Sequence, residues 1–353
     1  MKGTNGRLRV GACLSLSGRF APFGRQAARG LEVWAGLDGN IDVLIEDDAS
    51  NVGQLQALLP GVAGRCDLVL GPYSTVLMRA AGDLAAENGW LIWNHGGSGD
   101  DVETAHPGHV VSVLTPASRY MEPFLDYLVD DIEPTQELRI AHGAGRFGRQ
   151  VASGAQAYAL RLGFGQIHIG SVDDILTDDI ANDWTLISAG TFEDDTQIVR
   201  RARDLATPPR VACAVAAGVR RFIEMIHQSD GMFGIAQWVQ GRGHAARLGP
   251  SEREFLDAYY ATVGEAPDYP AIQAVAAAAL AVQCVNRAES TCREVIWATS
   301  AALDSSTLYG AFRIDDTTGA QLGHQTVLTR WIDGELISVS DNAPGRRSTV
   351  APD

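Results

Sequence analysis

The stretch that decides the fold is CDLVLGPYSTVLMRAAGDLAAENGWLIWNHGGSGDD, residues 66–101. Residues 67–70 are a short apolar run, Gly71, Pro72, Tyr73 and Ser74 supply turn chemistry and a helix cap, and Leu77, Ala80, Ala81, Leu84 and Ala85 recur at helical spacing. A second apolar run, residues 90–93, ends in Asn94 and then the glycine-rich turn Gly96, Gly97, Ser98, Gly99. Strand, helix and strand in this order set two parallel strands side by side. Ser74, Thr75 and the free amides of a helix's first turn stand at one tip, and the glycine-rich turn stands at the other. Two such tips offer hydrogen-bond donors to a small polar or anionic group.

The same alternation runs outward in both directions. Strand-like runs at 8–16, 41–46 and 110–114 are separated by helical patterns at 26–34 and 52–63, and a helix at 120–129 follows. The alternation begins again with strands at 138–142, 166–170, 184–189, 211–215 and 235–239 and helices at 150–162, 196–206 and 219–229. Helices at 251–263, 272–286 and 293–303 come next, then strand-like segments at 311–314 and 326–339, the last with Asp333-Gly334 as a hairpin turn. The pattern predicts an α/β chain of two doubly wound parallel-sheet lobes. Residues 115–119 carry no long linker, so the lobes exchange chain more than once, as a hinged pair would.

Composition narrows the function. The 353 residues suffice for two domains, and 46% hydrophobic with 20% charged residues is an ordinary globular balance. A net charge of −15 argues against nucleic acid or an anionic membrane as partner, since both require a basic surface. The acidic pairs Asp47-Asp48, Asp173-Asp174 and Asp194-Asp195 read as solvated surface. Lys2 is the only lysine, which excludes a phosphate-loop or Schiff-base lysine in the folded body. The cysteines Cys13, Cys66, Cys213, Cys284 and Cys292 show no zinc spacing; Cys13 and Cys213 read as small core residues, and Cys284 and Cys292 could form a local disulfide in an exported protein. No apolar run reads as a membrane span, and no signal peptide precedes Leu8: either a leader was removed or the protein stays inside.

Residues 143–148, GAGRFG, match GxGxxG between a strand and a helix, with Asp173 and Asp174 after the next strand. A dinucleotide site would use those glycines to bring backbone to a pyrophosphate and the acid to hold a ribose, but Arg146 and Phe147 are large where the backbone should be bare. The bland alternative is a glycine-rich turn entering a helix. Ser98 lies in GGSGD, which lacks the second glycine of a nucleophile elbow, and His95 beside it reads as a loop residue. His142, His168, His227, His244 and His324 share no ligand spacing, so no metal or cofactor is expected and no catalytic constellation is visible. Phe23, Tyr73, Trp93, Phe147 and Trp238 stand at strand and turn ends, where with Ser74, Thr75 and Ser98 they would line an apolar pocket with a few aimed polar groups.

With these residues placed, the chain resembles the type I periplasmic-binding fold, in particular the branched-chain amino acid and amide receptor family of ABC-transporter solute-binding proteins. The resemblance rests on VGACLSLSGRFAPFGRQAARGLEVW, DDAS after the second strand, LVLGPYST, LIWNHGGSGDDV, RFGRQVASGAQAYALRLGF, YPAIQAVAAAALAV and YGAFRIDDTTG, in that order over nearly the whole chain. It implies lobe 1 at residues 1–116 and 245–324, lobe 2 at 117–244 and 325–345, three crossovers between them, and a ligand caught in the cleft as the lobes close. By position, Ser74 and Thr75 fall where a ligand carboxylate binds, Gly96, Gly97 and Ser98 where backbone and hydroxyl groups meet the same head, and Phe23 where an aromatic covers the ligand. From the second lobe, Phe147 replaces a frequent tyrosine, Ala217 stands where an aromatic is common, and Trp238 precedes the place where an acid receives an α-ammonium; here that place holds Gln240. A buried ammonium without a carboxylate is costly, so a carboxylate or amide on an apolar or aromatic body is expected rather than a leucine-type ligand. The resemblance implies an ABC permease as partner and an extracytoplasmic location if a leader was removed. An intracellular sensor of the same fold, and a nucleotide-dependent enzyme built on Gly143 to Gly148, are the rival readings.

Overall fold

The computed structural model describes residues 7–132, 135–177, 180–226, 229–242 and 245–339. Lys2, His227 and His244 lie outside them. Two compact units are formed, one from Met1–Ala117 and Trp238–Gln325, the other from Ser118–Gln237 and Thr326–Asp353, so the chain passes between them three times.

The first unit opens with β1 (Leu8–Leu14), α1 (Ala21–Asp38), β2 (Ile41–Asp47), α2 (Val52–Ala63), β3 (Leu68–Leu70), α3 (Thr75–Asn88), β4 (Ile92–Asn94), the single turn α4 (Asp101–Thr104) and β5 (Val110–Ser112). All five strands are parallel in the order β2-β1-β3-β4-β5. The alternation of side chains along β1 explains the double layer: Val10, Ala12 and Leu14 enter one core with α1, whereas Cys13 enters another with Leu55, Leu59 and Val62 of α2 and Leu77 and Met78 of α3.

In the second unit, α5 (Glu122–Asp131), β6 (Glu137–His142), α6 (Arg146–Arg161), β7 (Ile167–Ser171), α7 (Val172–Ile175), β8 (Trp184–Ala189), α8 (Phe192–Arg203), β9 (Val211–Ala214), α9 (Phe222–Met225) and β10 (Phe233–Ala236) repeat the scheme. The chain then returns to the first unit for α10 (Glu252–Val263), α11 (Tyr269–Ala288), α12 (Arg293–Ala301) and the small pair β11 (Ser305–Thr307) and β12 (Gly310–Phe312). It ends in the second unit with β13 (Val327–Ile332) and β14 (Glu335–Ser338). Its seven-stranded sheet runs β14-β13-β10-β9-β8-β6-β7, parallel from β6 to β10 with β13 and β14 antiparallel at one edge.

Three sequence expectations need correction. α11 is long and apolar enough to cross a membrane by length and composition; it is apolar on nearly every side because it packs inside the first unit's core beside α1. The helix expected at 219–229 is interrupted: a 3₁₀ turn, Ala216–Gly218, is followed by extended backbone at Val219 and then the short α9. All five cysteines are free, Cys284 buried and Cys292 exposed with its thiol on Glu294, so no disulfide joins them.

Candidate functional site

In the first unit, β3 and β4 end side by side, paired Val69 to Ile92 and Leu70 to Trp93, so the turns that follow them are neighbours. Ser74 is the N-cap of α3: its hydroxyl accepts from Leu77 N at 3.4 Å, and its own amide donates to the Gly96 carbonyl at 2.9 Å. Its backbone sits at φ +94°, ψ 146°, a region that is otherwise almost reserved for glycine. Thr75 Oγ1 accepts from Gly99 N at 3.1 Å, which ties the second turn to the helix start.

The turn at 96–99 is wired from behind by Asn94, which is fully buried. Asn94 Oδ1 accepts from Gly96 N at 3.1 Å and Gly97 N at 2.8 Å, and Nδ2 lies 2.6 Å from Gly97 O, 2.8 Å from Ser112 Oγ and 3.1 Å from Glu103 Oε1. Two of the expected ligand donors, the amides of Gly96 and Gly97, are therefore engaged, and the Asn94 side chain is enclosed with them. Ser98 differs. Its carbonyl accepts from Ala117 N at 2.7 Å, and among the described residues no partner takes up its amide or hydroxyl, which are only partly buried.

Aromatic rings gather at the turn after β3, where Tyr73 lies beside Gly96 of the second turn. Phe23, in the first turn of α1, stacks on Tyr73 with ring centres 4.6 Å apart and planes 5° from parallel. The Tyr73 hydroxyl meets that of Tyr269, at the start of α11, at 2.5 Å, and burial of this phenol pushes its pKa well up. Tyr269, some 196 positions along the chain, escapes the sequence reading because nothing local marks the partner of a distant hydroxyl. Trp93 is not a crevice residue: it is fully buried in the first unit's core, tilted on Phe312 at 6.3 Å. Trp238 is also corrected, since it belongs to the first unit, where it packs against the same core; Gln240, two residues on, is exposed.

His95 is sealed among these elements with neither ring nitrogen in a hydrogen bond of normal geometry, and burial, opposed only by the backbone of Gly71 and of His95 itself, lowers its pKa to about 4. The ring is neutral in ordinary buffers.

The second unit carries two of the expected contacts. Phe147 lies at the start of α6, partly exposed, with an edge-to-face contact to Tyr120 at 5.6 Å. Ala217 is fully buried in the 3₁₀ turn, where its carbonyl accepts from Trp331 Nε1 at 2.8 Å, and its methyl belongs to a core with Phe222 and Trp331. The GxGxxG glycines have packing reasons. A side chain at Gly143 would strike the Asp194 carboxylate, and one at Gly148 would lie 2.5 Å from Ala189 O, whereas Gly145 faces open space. The acids expected to hold a ribose are occupied: Asp174 closes the Ser171 capping box, and Asp173 pairs with Arg201. Among the described residues no cluster of His, Cys, Asp and Glu could hold a metal ion.

Two acids read as surface from sequence are buried. Asp48 accepts from Ser15 Oγ at 2.6 Å and Ser50 N at 2.8 Å, and its pKa is raised by burial against those bonds. Asp195, in the first turn of α8, accepts from Ser188 Oγ at 2.7 Å and Ala216 N at 2.8 Å; burial takes its pKa to about 7.

Comparison with known proteins agrees with this architecture. No curated protein matches the sequence. The fold is shared with a leucine binding protein LivK from Thermotoga maritima, at TM-score 0.77 and 14% identity over 94% of this chain and 97% of that one. The branched-chain amino acid binding protein LivJ from Streptococcus pneumoniae, in complex with isoleucine, gives 0.73 and 14% over 94% and 99%. An ABC-transporter solute binding protein from R. palustris, in complex with benzoate, gives 0.74 and 16% over 95% and 96%. The model of the family described as periplasmic binding protein matches residues 7–335, so this chain, with its two α/β units, belongs to the periplasmic binding protein family and is a binding protein rather than an enzyme.

Proposed function

We propose that this chain is the solute-binding component of an ABC import system, working outside the cytoplasm with a permease as partner, and that its ligand has a carboxylate or amide head on an apolar or aromatic body. The observation that carries the reading is the pairing of unengaged donors at Ser98 with the stacked rings of Phe23 and Tyr73 across the tips of β3 and β4. A planar acid suits both halves, since the donors meet its oxygens and the rings its flat face. Gln240, neutral and exposed, supplies no carboxylate for an α-ammonium, which weighs against a zwitterionic aliphatic amino acid. Family membership supports the receptor role and the extracytoplasmic location, and the benzoate-bound relative supports the ligand class.

The test is calorimetry on protein stripped of retained ligand by unfolding and refolding, with benzoate, leucine and isoleucine as titrants. Benzoate is expected to bind, with affinity reduced about tenfold in Phe23→Ala. Binding of leucine and isoleucine alone would overturn the ligand class. No small molecule released from the purified protein, together with no heat from any titrant, would count against the receptor reading itself.

A further inference from the structure

Asn94 offers two N–H bonds to three acceptors: Gly97 O, Ser112 Oγ and Glu103 Oε1. How they are shared depends on Glu103. This side chain is 3% exposed on the single turn α4, and among the described residues no cation pairs with it. Among the described residues Asp100 is the one charge that acts on it directly; the other titratable groups on α4 and on the elements packed against it are Asp101, held by Arg79 of α3, Asp83 of α3, held by His106, Glu87 at the far end of α3, and His109 ahead of β5, whose ring bonds Trp90 O. β4 and β5 contribute Asn94 and Ser112 and no charge.

An ionised Glu103 is an acceptor only, so it draws the Ser112 hydroxyl and an Asn94 N–H toward itself. A neutral Glu103 carries a hydroxyl that donates to Ser112 Oγ, and the Asn94 amide is released to Gly97 O and Ser112. The same amide plane holds Gly96 N and Gly97 N through its oxygen, so a change at Glu103 is passed to both peptide groups.

We propose that Glu103 is a positioning residue for the turn that carries Ser98: through Asn94 its protonation state sets the orientation of the Gly96 and Gly97 peptides and thereby the ligand affinity of the turn. Burial, partly offset by bonds from Ser112 and Asn94, pushes its pKa to about 7, so both states are populated near neutrality. The effect on affinity rests on the proposed ligand reading; the effect on the turn does not.

The experiment uses the whole chain labelled with ¹⁵N-glycine, ligand-free, with Gly96 and Gly97 assigned by dual labelling and followed from pH 5.5 to 8.5. Both amides should titrate together with a midpoint near neutrality, Glu103→Gln should abolish that titration, and Ser112→Ala should move the midpoint upward by removing a donor to the charged form. Resonances that do not titrate in the native chain, or that titrate unchanged in Glu103→Gln, would overturn the proposal. If Glu103→Gln does not fold, glycines that stay flat in the native chain still overturn the proposal, and the upward shift in Ser112→Ala assigns the titration to Glu103. His95 titrates below the window and cannot imitate the result. With benzoate as calorimetric probe, affinity should change severalfold across the same range and be flat in Glu103→Gln; a pH-independent affinity with titrating glycines would overturn the coupling to binding. Titrating glycines with no binding of benzoate, leucine or isoleucine would support the positioning role and overturn the ligand reading.

Discussion

Each unit holds a strand-tip turn in place with a buried carboxyl, and the two do it differently. In the second unit Asp195 acts directly, taking the Ala216 amide of the turn and the Ser188 hydroxyl on its own oxygens. In the first, Glu103 acts at one remove, through an asparagine that holds Gly96 and Gly97. Loss of a direct anchor leaves a buried amide and hydroxyl unsatisfied, whereas loss of the relay's acid leaves Asn94 still bonded to the turn. The first arrangement makes a rigid turn and the second an adjustable one.

The largest effect that sharpens this comparison is shared by both acids. Their folded pKa values, about 7, lie above the ordinary 4.5 for Glu103 and 3.8 for Asp195. Between those limits the folded chain keeps protons that the unfolded chain has released, so stability falls as pH rises from about 4 through 7 and levels off above that. Each group accounts for up to about 3 to 4 kcal/mol of the fall. His95 opposes them: its folded pKa of about 4 lies below the usual 6.5, so its share is lost as pH drops through that interval. Urea unfolding should therefore show stability nearly level above about pH 7.5 and rising from there to pH 5, most steeply below pH 7, where His95 offsets about one of the two acids, and the double variant Glu103→Gln/Asp195→Asn should abolish the rise. A native chain more stable at pH 8 than at pH 6.5 would break the comparison.

Next in size is the asymmetry between the anchors. Asp195→Ala should cost about 2 to 3 kcal/mol at pH 5.5, where the native carboxyl is neutral, and less at pH 8.5, where the native chain bears a buried charge. Glu103→Gln should cost under about 1 kcal/mol at pH 5.5 by the same denaturant titration. A comparable prediction concerns the glycine motif of the second unit. Gly148→Ala should destabilise by about 2 kcal/mol or more, because its methyl would press on the Ala189 carbonyl, and Gly145→Ala should stay within about 0.5 kcal/mol. A smaller effect than that of Gly148→Ala is expected in the first unit, where Tyr73→Phe should cost about 1 kcal/mol through its bond to Tyr269, seen as a shift of a few degrees in Tm.

The layering was legible because it is written in local periodicity: α2 (Val52–Ala63) and β8 (Trp184–Ala189) lie at their predicted bounds. α8 starts four residues earlier than its apolar spacing suggests, because Thr191 and Asp194 form a capping box ahead of it. The shortened α9 follows from a contact no local pattern records: Gly218, just before it, is squeezed against the backbone of Ile235. In the site, Phe23, Tyr73 and Ser74 could be picked out by their places after strands. Glu103 and Asp195 could not, since an acid beside other acids reads as solvated, and only the distant serines and amides that bond them explain their burial.

Ser74 keeps a consequence of its own. An L-residue held at φ +94°, ψ 146° forgoes about 1 to 3 kcal/mol that a glycine would recover. A hydroxyl retained against that pull is one whose use is not met by capping α3 alone, as the 3.4 Å bond to Leu77 is long. Exchange of Ser74 for glycine should thus yield a hardier protein that is a poorer receptor, the signature of a position where durability has been traded for grip.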